Sequence, residues 1–392
     1  MPQKEMSLEE EKLIDTKVGI INRIWRGRIW YGTEWYITMF GGGLLVLIIF
    51  MTIFAPSLSP YDPNDLIAAP FIPPGGGHLT LLTRLGDASR YNLNNLGGLK
   101  IGVQRNKGGS DDIIALGAVE QRFMTQKDLV TGLLKGKVDL IFMDMKDVKE
   151  TLSKYDGIEI VADRIGKTYL LGTDNLGRDV LSRIIWGSRT VMGVALSASL
   201  LSLLLGVSIG LISGYAGGKV DKVLSLIMDS IYSFPGLILA IAMVAVLGPG
   251  VVNVAIAVSV VYIPTFFRVV RGQVLSIKEE LFVEAAKSLG AKSLEILRRY
   301  IFPNIIPSIV VVLSLSVADA ILTEAGLSFI GLGLPPDIPD WGYDVSKGAS
   351  FLVAGYWWLV TFPGLMITLV AMGFSLLGEG LSEILNPRLV KN

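Results

Sequence analysis

Six apolar stretches set the terms for this chain, over residues 35–55, 191–214, 223–247, 250–270, 304–327 and 357–380. Each is long enough to cross a bilayer core of about 30 Å, which takes about 20 helical residues. Inside lipid every backbone N–H and C=O must be paired within the segment or a closed barrel, so such stretches are committed to helix. The sequence therefore predicts an all-α polytopic membrane protein with six transmembrane helices. The charged fraction agrees, at 18% against about a quarter in soluble domains. Tyr31, Trp35 and Tyr36 before the first span, and Tyr356, Trp357 and Trp358 before the last, read as interfacial aromatics.

Orientation follows from Lys and Arg in the short loops. Lys4, Lys12, Lys17, Arg23, Arg26 and Arg28 precede the first span, Lys219 and Lys222 lie between the second and third, and Arg388 and Lys391 follow the last. Between the fourth and fifth come Arg268, Arg271, Lys278, Lys287, Lys292, Arg298 and Arg299, whereas the opposite short loops carry only Lys347. This bias predicts a multi-pass protein of the cytoplasmic membrane with both termini inside. No short apolar region with a small-residue cleavage site opens the chain, so a signal peptide is not expected.

The loop between the first two spans is then outside. Residues 56–78 form a Pro/Gly-rich connector. Residues 79–167 alternate strand and helix signals, with strands at 99–104, 138–143 and 157–161 and helices at 111–121, 127–135 and 146–154. This predicts a small extracytoplasmic α/β insertion. Residues 168–190 read as an amphipathic, interfacial lead-in to the second span, with Val180, Leu181, Ile184 and Ile185 on its apolar side.

Net charge +0 gives no argument for nucleic acid as a partner. With 0 cysteines there is no disulfide, thiolate metal site or cysteine nucleophile. The single histidine, His78, stands in a Gly/Pro-rich stretch and reads as a solvated loop residue. Residues 132–138 (GLLKGKV) lack the spacing and the Ser/Thr of a phosphate-binding loop, and no zinc-protease or nucleophile-elbow motif occurs. No catalytic, cofactor-binding or metal site is expected.

Within the spans, Gly206, Gly210 and Gly214 repeat at four-residue spacing, a small-residue ridge that lets helix backbones approach closely. Its partner is another span of this chain or a span of a second membrane subunit, both readings being open. Pro235, Pro264 and Pro363 bend spans. Asp229, Asp319 and Glu324 are ionisable groups in or near apolar segments, and such groups face a pathway or another helix.

Residues 279–303 (EELFVEAAKSLGAKSLEILRRYIFP) are a charged interruption between two spans. Leu281, Phe282, Ala285, Ala286 and Leu289 share a helix face, Glu284 and Lys287 fall opposite, and Gly290 ends the helix. A short amphipathic helix in a membrane protein's loop needs a groove on another protein.

Glu284-Ala285-Ala286, Gly290 and Tyr300-Ile301-Phe302-Pro303 resemble the EAA loop of ABC-importer permeases, with Tyr300 and Phe302 where Ile and Leu are usual. Residues 171–189, 213–221, 229–240 and 322–336, followed by Trp341-Gly342, are similar to the "C" permease of dipeptide/oligopeptide-type transporters. The resemblance covers residues 39–63 and 170–387. It implies a type I importer permease: residues 1–34 cytoplasmic, a core over 191–386, and a tail at 387–392. It also implies a homologous second permease, two ABC ATPase subunits holding ATP and magnesium, and an extracytoplasmic substrate-binding protein. Phe282, Glu284, Ala285, Ala286, Leu289, Gly290 and Pro303 would form the ATPase docking site. The cargo implied is peptides, with oligosaccharides or nickel as alternatives. Residues 79–167 depart from the family, and LKIGVQ with LLKGKVDLIFMD resembles part of a periplasmic binding-protein lobe. A membrane sensor and a self-sufficient channel are the rival readings; short inner loops argue against the first and the EAA loop against the second.

Overall fold

The computed structural model describes residues 20–68, 70–76, 79–91, 96–105, 117–165 and 168–384. His78, residues 111–116 of one expected helix and the tail at 387–392 lie outside them. In chain order the principal helices are α1 (Ile20–Ile53), α2 (Gln126–Leu134), α3 (Met145–Lys154), α4 (Val180–Ala216), α5 (Gly218–Tyr232) and α6 (Gly236–Leu247). They continue with α7 (Val251–Ile277), α8 (Leu281–Ser288), α9 (Phe302–Ile330), α10 (Trp341–Ala349) and α11 (Trp358–Ile384). The described residues divide into two compact units, one drawn from residues 20–53, 188–335 and 365–384, the other from 54–187 and 336–364.

The first unit is a helical bundle. Among the described residues, five helices are long and apolar enough to span: the Trp35–Ile53 part of α1, α4, α7, the run Ser293–Ile330 and the Trp358–Ser382 part of α11. The sixth stretch is not one straight helix. α5 and α6 meet at 88°, with Ser233–Pro235 between them. Pro235 carries no N–H, and Ser233 folds its hydroxyl back onto the Ser230 carbonyl at 2.7 Å, which ends α5. Small residues set the helix spacing. A side chain on Gly41 of α1 would meet the Gly373 carbonyl of α11 at 2.9 Å, and one on Gly236 would meet Val261 of α7 at 2.9 Å.

The second unit contains a mixed five-stranded sheet: β1 (Leu79–Arg84), β2 (Lys100–Gln104), β3 (Val119–Phe123), β4 (Leu140–Asp144) and β5 (Ile158–Ile165). Their order is β3-β2-β4-β1-β5. β2 runs parallel to β3 and β4; β1 is antiparallel to β4 and β5. Alternation along the strands feeds two cores. Leu82 and Ile141 pack with Leu129, Leu133 and Val148 of the helices on one face, while Leu81, Ile101, Val103, Leu140 and Phe142 pack on the other. Gly102 lies on the helix side because a Cβ there would reach Leu129 Cδ1 at 2.8 Å.

Three strands and two helices stand near their expected places. β1 and β3 were not anticipated, and Val119–Gln121, expected as the end of a helix, is strand. Parallel pairing of this segment with β2 along its whole length overrides the local helix signal. Val180–Arg189 is also no separate interfacial helix: it forms the first turns of the 37-residue α4, with Val180, Ile184, Ile185 and the polar Arg183 all buried. Trp358, expected at the interface, is buried too, its indole N–H donating to the Thr173 carbonyl at 3.2 Å.

Candidate functional site

Helix α8 sits at the centre of the 279–303 loop. Its C-terminus is a Schellman closure: Gly290 takes φ +87°, its N–H donates to the Lys287 carbonyl at 2.9 Å, and the Ala291 N–H donates to the Ala286 carbonyl at 3.0 Å. The helix has an inner and an outer side. Val283 and Ala286 are buried, and Val283 packs with Phe266, Val270 and Val274 of α7 and with Ile296, Ile301 and Ile305. Leu281 and Leu289 are 80% and 88% exposed, and Phe282, Glu284 and Ala285 are exposed beside them. Ala286 is therefore corrected: it faces this chain's own core and not a partner. Leu294, 76% exposed, extends the outward apolar face and was missed because it lies beyond Gly290, outside the helix whose periodicity was read.

Past α8 the chain enters α9 through a five-residue π-helical stretch, Leu297–Ile301. Pro303, at the second position of α9, has no N–H for the Arg299 carbonyl, and a widened turn accommodates that loss. The Asn304 side-chain amide donates to the Tyr300 carbonyl at 2.6 Å across the junction.

The three acids of the spans do not form one group. Glu324 is fully buried and accepts from the Ser328 hydroxyl at 3.2 Å, so it belongs to the interior of the bundle. Asp229 is exposed and pairs with Arg268 at 2.7 Å, whose guanidinium lies 3.8 Å from the centre of the Tyr232 ring. Asp319 is exposed on α9, one turn before Thr323, whose hydroxyl meets the Tyr262 hydroxyl of α7 at 2.7 Å.

The glycine ridge faces α7 of the same chain, which decides between the two readings left open. A Cβ on Gly206 would stand 2.6 Å from Phe266 Cβ, one on Gly210 3.0 Å from Val270 Cβ, and one on Gly214 2.8 Å from Val274 Cβ. Gly206, Gly210 and Gly214 are thus spent on an internal joint and not on a second permease. Polar bonds lock it: Ser202 donates to the Ser259 carbonyl at 2.7 Å, and Lys278 donates to the Gly214 carbonyl at 3.1 Å. Arg271 of α7 makes a two-point ion pair with Asp221 of α5 at 2.5 and 2.7 Å, and the Ser213 hydroxyl donates to the same carboxylate at 2.5 Å.

In the second unit, residues 172–187 build a buried polar clasp that sequence reasoning did not foresee. Asp174 accepts from the Leu176 and Arg178 backbone N–H groups and from Arg178 Nε at 2.6 Å. Arg183 reaches Asp344 of α10, and the Trp341 indole N–H donates to the Ile184 carbonyl at 3.0 Å. Gly187 is required beneath that indole, since a Cβ would meet it at 2.8 Å. Burial pushes the Asp344 carboxyl up from the ordinary carboxylate range, and the Arg183 guanidinium draws it back. Burial also raises Asp179, against the Ser182 bonds that favour its charged form.

Residues 206–391 match the family described as "Binding-protein-dependent transport system inner membrane component", and residues 37–74 match the "N-terminal TM domain of oligopeptide transport permease C". The chain is 41% identical over 219 residues to the glutathione transport system permease protein of Pectobacterium atrosepticum, covering 56% of this chain and 72% of that one. It is 41% identical over 218 residues to the dipeptide transport system permease protein of Alkalihalophilus pseudofirmus, covering 56% and 71%. Among solved structures it is similar to the inward-facing MetNI methionine ABC transporter, at 16% identity and TM-score 0.44, covering 52% of this chain and 96% of that one. With its apolar helices and its match to these relatives, the chain belongs to the binding-protein-dependent transport system inner membrane components: it is an integral membrane permease subunit of an ABC importer.

Proposed function

We propose that this subunit forms half of a pathway for peptide import and takes its driving motion from ATPase subunits docked on the 279–303 loop. The observation that carries the reading is the division of α8: Val283 and Ala286 fix it to the bundle while Leu281, Phe282, Glu284, Ala285 and Leu289 face away from the chain. An apolar outer face of this kind needs a groove on a partner, with Glu284 available to a cation there. The Lys/Arg bias of the short loops puts this helix in the cytoplasm, where ATP and magnesium bound by the partner subunits supply the energy. Gly290 holds the chain reversal and Pro303 the entry to α9, so displacement of α8 reaches α7 and α9 through the shared Val283–Val270–Ile301 core.

Cargo follows from the relatives, whose names specify glutathione and dipeptide transport. An extracytoplasmic binding protein delivers the peptide, a homologous permease supplies the other half of the pathway, and Asp229 and Asp319 line this half. On this reading the sheet of residues 79–165 is an extracytoplasmic insertion. Co-purification and uptake test the reading together. Glu284→Arg with Leu289→Asp is expected to release the ATPase subunits and abolish uptake while the permease remains folded. Retention of both ATPase subunits and uptake by that variant overturns the proposal.

A further inference from the structure

Three cations of the bundle have fixed partners. Arg268 is committed to Asp229, Arg271 to Asp221, and Lys278 to the Gly214 carbonyl. Asp319, among the described residues, has no ion pair and no hydrogen bond. It lies 11 residues from the end of α9 at Ile330 and 17 from its start at Phe302. At 1.5 Å per residue it therefore sits about 16 Å from one end and about 25 Å from the other, in the middle depth of a bilayer. A carboxylate at that depth is costly unless it meets water or a counter-charge. It is also exposed, sharing an open stripe of α9 with Leu315 and Leu322.

The surroundings narrow what that counter-charge is. Thr323, one turn along the same face, and Tyr262 bring two hydroxyls together at 2.7 Å. No group of three or more acidic or histidine residues suited to a metal ion occurs among the described residues, and a hard divalent cation wants several oxygen ligands in fixed geometry. One carboxylate with neutral hydroxyl acceptors alongside suits a primary ammonium, which offers three donors and a single charge.

We infer that Asp319, with Thr323 and Tyr262, is a station in the pathway for the ammonium end of a peptide in transit. This rests on the reading of the chain as a peptide-importer permease and assigns the chemistry of one point on its path. The carboxylate meets the free amino terminus, the hydroxyls replace part of its water shell, and the site releases it once the pathway reopens on the other side.

The chain's lack of cysteine provides the test. In the complete transporter in proteoliposomes, Asp319→Cys and, as a buried comparison, Ala320→Cys are treated with small cationic and anionic thiol reagents. Modification at 319 and none at 320 is the expected pattern. No modification at 319 in any nucleotide state removes the residue from the pathway and overturns the inference. Uptake is then compared for a free and an N-acetylated form of one peptide, each at a concentration that saturates the binding protein. Asp319→Asn is expected to slow uptake of the free peptide by about tenfold or more, as for loss of a charged hydrogen bond, to leave the acetylated form unchanged, and to be rescued by Asp319→Glu. Equal effects on both forms, with labelling intact, overturn the ammonium station while the importer reading stands. Loss of the second permease on co-purification of Asp319→Asn would assign the counter-charge to that subunit and overturn it as well.

Discussion

Arg183 and Asp344 lie 161 positions apart in the chain and meet in a two-point ion pair, with Nη2 2.7 Å from Oδ1 and Nε 3.1 Å from Oδ2. The Arg183 side chain is almost wholly buried, and its remaining Nη1 is directed at the Pro63 carbonyl and the Asn64 side chain, both at 3.4 Å. One guanidinium thus joins the connector, the start of α4 and α10 within one unit. Arg183→Met leaves Asp344 buried without its cation and is expected to cost about 3–5 kcal/mol. Arg183→Met with Asp344→Leu is expected to recover most of that loss, and Arg183→Lys to fall between, since an ammonium cannot make the two-point contact. Thermal unfolding of the purified subunit in detergent measures the order of the three.

The α4–α7 joint makes a sharper prediction because it contains its own comparison. Gly206→Ala drives a methyl to 2.6 Å from Phe266 Cβ and 2.7 Å from the Ile263 carbonyl, and neither can rotate away. A loss of about 1–3 kcal/mol follows from overpacking. Gly193→Ala on the same helix meets nothing within 4 Å. It is expected to be neutral or mildly stabilising, by up to about 1 kcal/mol from the better helix propensity of alanine. Equal effects of the two in a melting experiment would contradict the packing described here.

For α8, inner and outer substitutions separate stability from assembly. Val283→Ala opens a void in the core shared with α7 and is expected to lower stability by about 1–3 kcal/mol. Gly290→Ala forces an L-residue to φ +87° and is expected to cost about 1–2 kcal/mol. Leu289→Asp, on the solvent side, is expected to leave melting unchanged and to abolish capture of ATPase subunits in a pull-down.

The inserted sheet enters and leaves at one point. Gly76 and Tyr169 face each other in an antiparallel bridge, with the Tyr169 N–H donating to the Gly76 carbonyl at 3.0 Å. Replacing residues 78–167 by a short glycine linker therefore spans almost no distance and is expected to preserve expression and association with partner subunits. Uptake by that variant, measured against the intact chain, reports whether the insertion takes part in transport.

What the sequence disclosed follows from the range of the interactions involved. Spans were legible because lipid demands a run of apolar residues that no other setting does. The glycine spacing identified a close approach, but a ridge reveals its own side and not its neighbour, and α7 begins more than 30 positions after Gly214. Pro235 announced a bend; the 88° break depends also on Ser233 turning its hydroxyl onto α5. On α8 the apolar residues cover more than half the circumference, so the periodicity did not distinguish Val283, which faces inward, from Phe282, which faces out. The Arg183 clasp was invisible because each of its partners, Asn64, Asp344 and Trp341, is more than 100 positions distant.

The ridge of Gly206, Gly210 and Gly214 carries a mechanical consequence. A joint cushioned by long side chains can creep, because rotamers yield and the two surfaces slip by fractions of a turn. Where Gly214 abuts Val274 directly there is no such slack. α4 and α7 are keyed together, so a displacement of either helix carries the other with it, and the stiffness of that coupling is fixed by side chains that are missing.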